Sequence, residues 1–225
     1  MHVVIDAQSI FSIRLSLQVA CVSTVLVGLV GGTTGYIFAS RNFRGKAFLE
    51  MLILLPLILP PTVIGYYLIM IIGRNGIIGN ILHLLTGWTP IFSWWAAVLA
   101  SFVVSLPLMI KTTQASIESV DSSMLDTAIM LGYSEREILW HITLPLAQNG
   151  ILTGVVLSFA RAMSEFGATL MIAGNIPGKT STMPLTIYSF VSSGEWEKAH
   201  LLAIILTITS ACFIFLTNYL AKRKF

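Results

Sequence analysis

Residues 16–40 read SLQVACVSTVLVGLVGGTTGYIFAS, a run of 25 residues without one charged side chain. A helix rises 1.5 Å per residue, so about 20 mostly apolar residues cross the roughly 30 Å hydrocarbon core of a bilayer, and this run exceeds that need. Outward from it the pattern recurs. Windows near 48–72, 91–112, 150–172 and 200–221 meet the same demand as the first, near 15–39. Backbone amides in hydrocarbon have no water to bond, so helices rather than open strands must do the spanning, and the runs lack the ten-residue alternation of a membrane barrel. The expected fold class is all-α, an integral membrane protein with about five transmembrane helices.

Composition agrees. Of 225 residues, 56% are hydrophobic and 10% charged, with a mean hydropathy of +0.85, whereas a soluble domain carries about 25% charged residues. The start, Met1 to Asp6, lacks the basic flank of a cleavable signal peptide, and the first apolar run is too long for one, so it reads as a mature span. Cys21 and Cys212 both fall within spans, and no disulfide is expected. A net charge of +3 sits in short clusters between spans, which is how membrane orientation is written, and no nucleic acid partner is expected.

Those clusters set the orientation. If the loop after the first span is cytoplasmic, Arg41, Arg44, Lys46, Lys111, Arg136, Lys222, Arg223 and Lys224 lie inside, against Arg14, Arg74, Lys179 and Lys198 outside. The excess predicts an outer N-terminus and an inner C-terminus. Trp88, Trp94, Trp95 and Trp196 then fall at the outer interface, where an indole is at home. In the second span, Pro56, Pro60 and Pro61 remove backbone donors and push the preceding residues out of the α region, so this span should be kinked or broken. A broken span belongs against protein or a polar cavity; a kink that serves packing alone is the plainer alternative.

Hydrophilic segments remain at 73–90 outside, 113–149 inside and 173–199 outside, and the inner one carries the most information. It runs from Glu118 to Pro145 as helix, glycine break, helix, stop. Ser123, three residues before Asp126, can cap a first short helix with Leu125 and Ile129 on one face. Gly132 suits the left-handed position after it. Ser134 with Glu137 forms a second capping box, starting a helix with Ile138, Leu139 and Ile142 that Pro145 closes. The product is a helical elbow with one apolar and one charged face, suited to a protein partner or the membrane surface.

This elbow resembles the cytoplasmic loop of bacterial ABC importer permeases, which reads Glu-Ala-Ala, three residues, Gly, nine residues, Ile-x-Leu-Pro. Here Asp126-Thr127-Ala128, Gly132 and Ile142-Thr143-Leu144-Pro145 keep that spacing, with Asp and Thr departing from the common letters. The resemblance narrows elsewhere. Leu55 to Tyr67 with its Pro60-Pro61 pair, the turn Gly73-Arg-Asn-Gly76, and Glu165-Phe-Gly167-Ala-Thr169 followed by Gly174-Asn-Ile-Pro-Gly178 are similar to molybdate permeases, with sulfate permeases as rivals. It implies a type I ABC importer permease fold over residues 11–217, with 123–145 as the cytoplasmic coupling loop. It also implies a bacterial inner-membrane homodimer, a cytoplasmic ATPase (two copies, holding ATP and Mg) at the elbow, and a periplasmic or extracellular molybdate-binding protein outside. The coupling residues on this reading are Asp126, Thr127, Ala128, Gly132, Ser134, Glu137, Ile142, Leu144 and Pro145.

Arg161 and Glu165 stand apart because a lone charge within a membrane helix costs about 2.5–3.5 kcal/mol on insertion scales. Their i, i+4 spacing lets them neutralise one another. Either they form an internal ion pair only, or, with Ser164, Gly167, Thr169, Pro60 and Pro61, they line a path for a tetrahedral dianion that must be bound weakly enough to leave. His2, His83, His141 and His200 have no ligand spacing, so no metal site is expected. Without a phosphate-binding glycine loop or a nucleophile motif, the chain is expected to bind no cofactor and to leave ATP hydrolysis to a partner. The same-class rivals are sulfate and tungstate permeases. An intramembrane enzyme would need paired catalytic groups, and Glu165 is the one carboxylate well inside a predicted span.

Overall fold

A computed structural model describes residues 6–222, with side chains described up to residue 215. His2, Arg223, Lys224 and the side chain of Lys222, which entered the sequence reading, lie outside the described residues. Within them every regular element is a helix. Helix α1 (Ala7–Ser40) is started by Asp6, whose carboxylate accepts from Ser9 N at 2.8 Å. Its 34 residues extend about 51 Å, past the first predicted window on the N-terminal side. The second window is two helices, α2 (Lys46–Ile58) and α3 (Pro61–Ile72), bent by 117° at Leu59 and Pro60. The prolines thus break the span outright. There follow α4 (Ile77–Thr86), α5 (Trp94–Glu118), α6 (Ser122–Met130) and α7 (Glu135–Ile138). A π-turn (Leu139–Thr143) leads into α8 (Leu144–Met163), then α9 (Gly167–Ala173), α10 (Met183–Ser192) and α11 (Trp196–Lys222). Four helical stretches among the described residues are long and apolar enough to cross a membrane, or five with the bent pair counted as one.

Helix α5 is the axis of the bundle, packed between α1 and α8 and buried along most of its length. Small residues let the backbones close up: a Cβ on Gly31 would lie 2.9 Å from Met109 Cβ, and one on Gly35 would lie 2.7 Å from the Ile110 carbonyl oxygen. In lipid there is little hydrophobic gain from pairing two helices, so close packing and interhelical hydrogen bonds hold them. Ser23 Oγ donates from α1 to Val98 O at 3.0 Å, Ser101 Oγ to Ala162 O on α8 at 3.4 Å, and Ser158 Oγ back to Ser105 O at 3.4 Å. Ile64 of α3 and Ala168 and Ile172 of α9 complete the core against Ala96, Ala97 and Ala100.

The structure corrects four expectations. The outer segments 73–90 and 173–199 are not simply hydrophilic, since they hold the short apolar helices α4 and α10. Ten residues are too few to span, and α10 instead buries Met183, Leu185 and Phe190 in protein. The first elbow helix is capped by Asp121, whose carboxylate accepts from Ser123 N at 2.9 Å, rather than by Ser123. Pro145 does not close the second elbow helix. It occupies the first turn of α8, where a missing N–H is tolerated, and the π-turn with Leu144 N bonded to Leu139 O absorbs the register change. The second elbow helix and the span are therefore one continuous helical rod, Glu135–Met163. The fourth window, in turn, is interrupted after Met163, so Glu165 sits in a break and not on a helix.

Candidate functional site

Two places gather the residues singled out from sequence. The first is the elbow. Helix α6 ends in a left-handed turn at Gly132 (φ +88°), closed by Gly132 N to Ile129 O at 3.0 Å and Tyr133 N to Ala128 O at 3.1 Å. The next helix begins with the expected box: Ser134 N donates to Glu137 Oε2 at 2.8 Å, and Glu137 N to Ser134 Oγ at 3.4 Å. At the other end, the Ser123 amide bonded to the Asp121 carboxylate holds that carboxyl below its ordinary range. Both halves of the elbow are thus capped by their own side chains.

Its faces are sorted. Ala128, Ile138 and Thr143 are buried toward the bundle, and Ile142 and Leu144 are half-buried. Between elbow and bundle lies a cavity of about 690 Å³ bordered by Tyr36, Arg41, Glu118, Leu125, Glu135 and Leu139, among others. Asp126, Thr127, Ser134, Glu137 and Pro145 face outward, and Thr127 Oγ1 spends its proton on Ser123 O at 2.7 Å. Beside them Met124, Ile129, Met130 (88% exposed), Leu131, Tyr133 and Trp140 stand in solvent. Exposed apolar surface of this extent is what a contact site for protein or membrane would present. The motif spacing singled out neither Met130, Leu131, Tyr133 nor Trp140. Their signal was available in the apolar letters flanking Gly132, which no local core could cover.

The second place is where the two broken spans cross. The start of α3 meets the start of α9: a Cβ on Gly167 would lie 2.8 Å from Pro61 Cβ, and one on Gly65 would lie 2.5 Å from Met171 Cβ. Pro61 and Gly167, more than a hundred positions apart, are thus brought into contact. Glu165 bridges its own break. Oε1 accepts from Ala168 N at 2.8 Å, capping α9, while Oε2 lies 2.8 Å from Arg161 Nη1. That second contact is an ion pair set off the N–H axis, not an aligned hydrogen bond. The carboxylate is sealed in protein, its side chain 1% exposed, whereas the Arg161 side chain keeps 27% exposure. Ser164 is exposed and Thr169 buried, and the half-buried Phe166 ring packs 5.5 Å from exposed Tyr188. Pro60 and Thr62 are also open.

Chemically this gives a cation whose charge is matched by a carboxylate behind it. Glu165 is occupied by the α9 amide and by Arg161, so an approaching anion meets the guanidinium first, at a site of low net charge. The i, i+4 reading of the pair holds, although a helix end rather than one helix face brings it together.

The chain is similar to known transport proteins along nearly its whole length. The ModB molybdenum transport system permease protein of Haemophilus influenzae is 42% identical over 216 residues, covering 95% of this chain and 94% of that one. The protein of that name in Escherichia coli is 37% identical over 212 residues, 94% and 93% of the two chains. Among solved structures, the inward-facing MetNI methionine ABC transporter superposes with a TM-score of 0.78 at 13% identity, covering 99% of each chain, a likeness of fold. Residues 31–225 match the family described as the binding-protein-dependent transport system inner membrane component. On that match and on relatives aligned over more than nine-tenths of both chains, this chain belongs to the family of inner-membrane permease components of binding-protein-dependent importers.

Proposed function

We propose that this chain is the permease subunit of an ATP-driven importer for molybdate. Two copies form the membrane core, with the N-terminus outside and the C-terminus inside. Each carries the importer domain, 11–217, and offers its elbow, 123–145, to a cytoplasmic ATPase that binds ATP and Mg. A periplasmic or extracellular molybdate-binding protein loads the path from the other side. The observation that carries the reading is the elbow: a self-capped helical turn with an exposed apolar face, continuous with a membrane-spanning rod, at the spacing of the importer loop. Such a rod transmits displacement where a floppy loop would dissipate it. Substrate class is supported by the molybdenum permeases at 37–42% identity over nearly their full length.

On this reading Arg161, Ser164, Glu165, Gly167, Thr169, Pro60 and Pro61 belong to the path or its gate. The compensated guanidinium suits an anion that has to pass rather than stay. The test is uptake of radiolabelled molybdate into proteoliposomes holding the permease with its cognate ATPase, supplied with binding protein and internal ATP. Uptake should depend on all three and be competed by tungstate more than by sulfate. Equal competition by sulfate would move the assignment to a sulfate permease, and uptake without ATPase would remove the coupling role of the elbow.

A further inference from the structure

Helix α2 lies on the outside of the described bundle. None of its side chains is buried, and it rests on α5. At one end it stops at the Leu59–Pro60 bend that leads to the crossing of the broken spans. Near the other end it is tied by polar groups. Lys111 Nζ of α5 donates to Glu50 Oε2 at 2.7 Å and to Gln114 Oε1 at 3.0 Å. Gln114 Nε2 donates to Glu50 Oε1 at 3.2 Å and to Glu118 Oε1 at 3.0 Å. Lys46 Nζ stands 4.0 Å from Glu50 on the free side.

The chemistry of each group fixes this pattern. An ammonium can only donate and a carboxylate can only accept, so the Gln114 amide must turn its oxygen to Lys111 and its NH2 to the two carboxylates. Gln114 is 7% exposed, and both ends of its amide are used. Glu118 is the last residue of α5, and Asp121, three positions on, caps the first elbow helix. Glu118 also borders the cavity beneath the elbow with Arg41 and Glu135. One hydrogen-bonded chain therefore runs from the foot of the elbow, through Gln114, to the arm that ends at the Pro60 break.

We propose that Glu118, Gln114, Lys111 and Glu50 form a polar clasp that passes displacement of the elbow to α2 and so positions the Pro60–Pro61 break, a role that rests on the transport reading above. Directional, charge-assisted bonds fix register where an apolar contact could slide. The clasp is also part-exposed at the surface of the chain, with Lys111 and Glu50 side chains 33% and 22% exposed, so neighbouring side chains do not enclose it and it can open and re-form during a cycle. These are positioning residues: none needs to touch substrate.

The discriminating substitution is Gln114→Leu. It leaves the Glu50–Lys111 ion pair in place and removes the amide's bonds to Lys111, Glu50 and Glu118, so Glu118 loses its link to α2. In proteoliposomes of the full complex, we expect normal assembly with the ATPase and continued ATP hydrolysis, while molybdate taken up per ATP falls about tenfold, near the low end of the usual 5- to 150-fold range of intersite coupling. Glu118→Ala, at an exposed helix end, should produce the same uncoupling and decides the matter if Gln114→Leu fails to assemble. Glu50→Gln should uncouple as well. A purely structural clasp would lower the thermal stability of Glu50→Gln and leave uptake per ATP unchanged in Gln114→Leu and Glu118→Ala, and that result overturns the proposal. Absence of molybdate uptake by the wild-type complex is a different outcome, since it removes the transport reading itself.

Discussion

Gly132→Val tests whether the elbow acts through its backbone shape. The residue sits at φ +88°, and a Cβ built there meets nothing within 4 Å. Steric bulk is therefore irrelevant, and the whole cost is conformational: about 1–3 kcal/mol for a non-glycine residue held in the left-handed region, highest for a β-branched one. Each 1.4 kcal/mol is a factor of about ten in population, so Val should deplete the native turn roughly 5- to 150-fold against alternatives that swing α7 away from α6. The two closing bonds, Gly132 N to Ile129 O and Tyr133 N to Ala128 O, would go with it. Asn tolerates the same backbone region, so Gly132→Asn should stay near wild type although it is about as large as Val. Gly132→Ala should fall between them. The assay is co-purification with the cognate ATPase, then hydrolysis and uptake in proteoliposomes, normalised to permease abundance in the membrane. An order of damage that follows side-chain volume, with Asn as harmful as Val, would refute the backbone argument. Full activity in Gly132→Val would make the elbow a passive loop.

Arg161→Met and Glu165→Gln should each impair the protein, the first by leaving a sealed carboxylate unpaired, at a cost of about 3–5 kcal/mol for a buried pair and less here because Arg161 is part-exposed. The double change should recover thermal stability and not molybdate uptake; recovered uptake would reduce the pair to a structural tie. Gly65→Val forces Cβ into Met171 and should lower the melting temperature of the detergent-purified permease through about 1–3 kcal/mol of overpacking, with an unchanged midpoint showing that α3 and α9 can part freely. With Cys21 and Cys212 replaced, Asn42→Cys and Glu135→Cys should resist an impermeant thiol reagent applied to intact cells, while Gly178→Cys reacts. Outside labelling at Glu135→Cys would invert the orientation.

What could be read from sequence was local. Charge-free runs longer than a bilayer announce membrane helices because no surface charge is available to them, and Ser134 with Glu137 announces a helix start because the two groups are three residues apart and need nothing else. The Pro60–Pro61 pair likewise carries its own break. Where several local answers compete, the fold chooses. Asp121, Ser122 and Ser123 are all competent caps, and Asp121 wins because α5 ends at Glu118 and the chain turns at once. At Pro145 the rule that proline stops a helix fails because a π-turn absorbs the misfit one turn earlier. The Glu50 clasp joins residues 61 and 64 positions apart and has no sequence signature.

The interruption after Met163 is the instructive case. Residues 150–172 contain no proline, and apolar letters continue through Ala168 to Ala173, so hydropathy joins what the structure separates. The break is stable because Glu165 supplies from its side chain the acceptor that a helical carbonyl would have offered Ala168 N, and because Arg161 balances the charge so introduced. The charged residue that looked expensive inside a span is thus what allows the span to break. Gly167 then lets the new helix start against Pro61, where any side chain would force the two apart. One break is written by prolines that cannot continue a helix, and the other by a carboxylate that replaces a lost backbone bond. They become one site only through the contact between them.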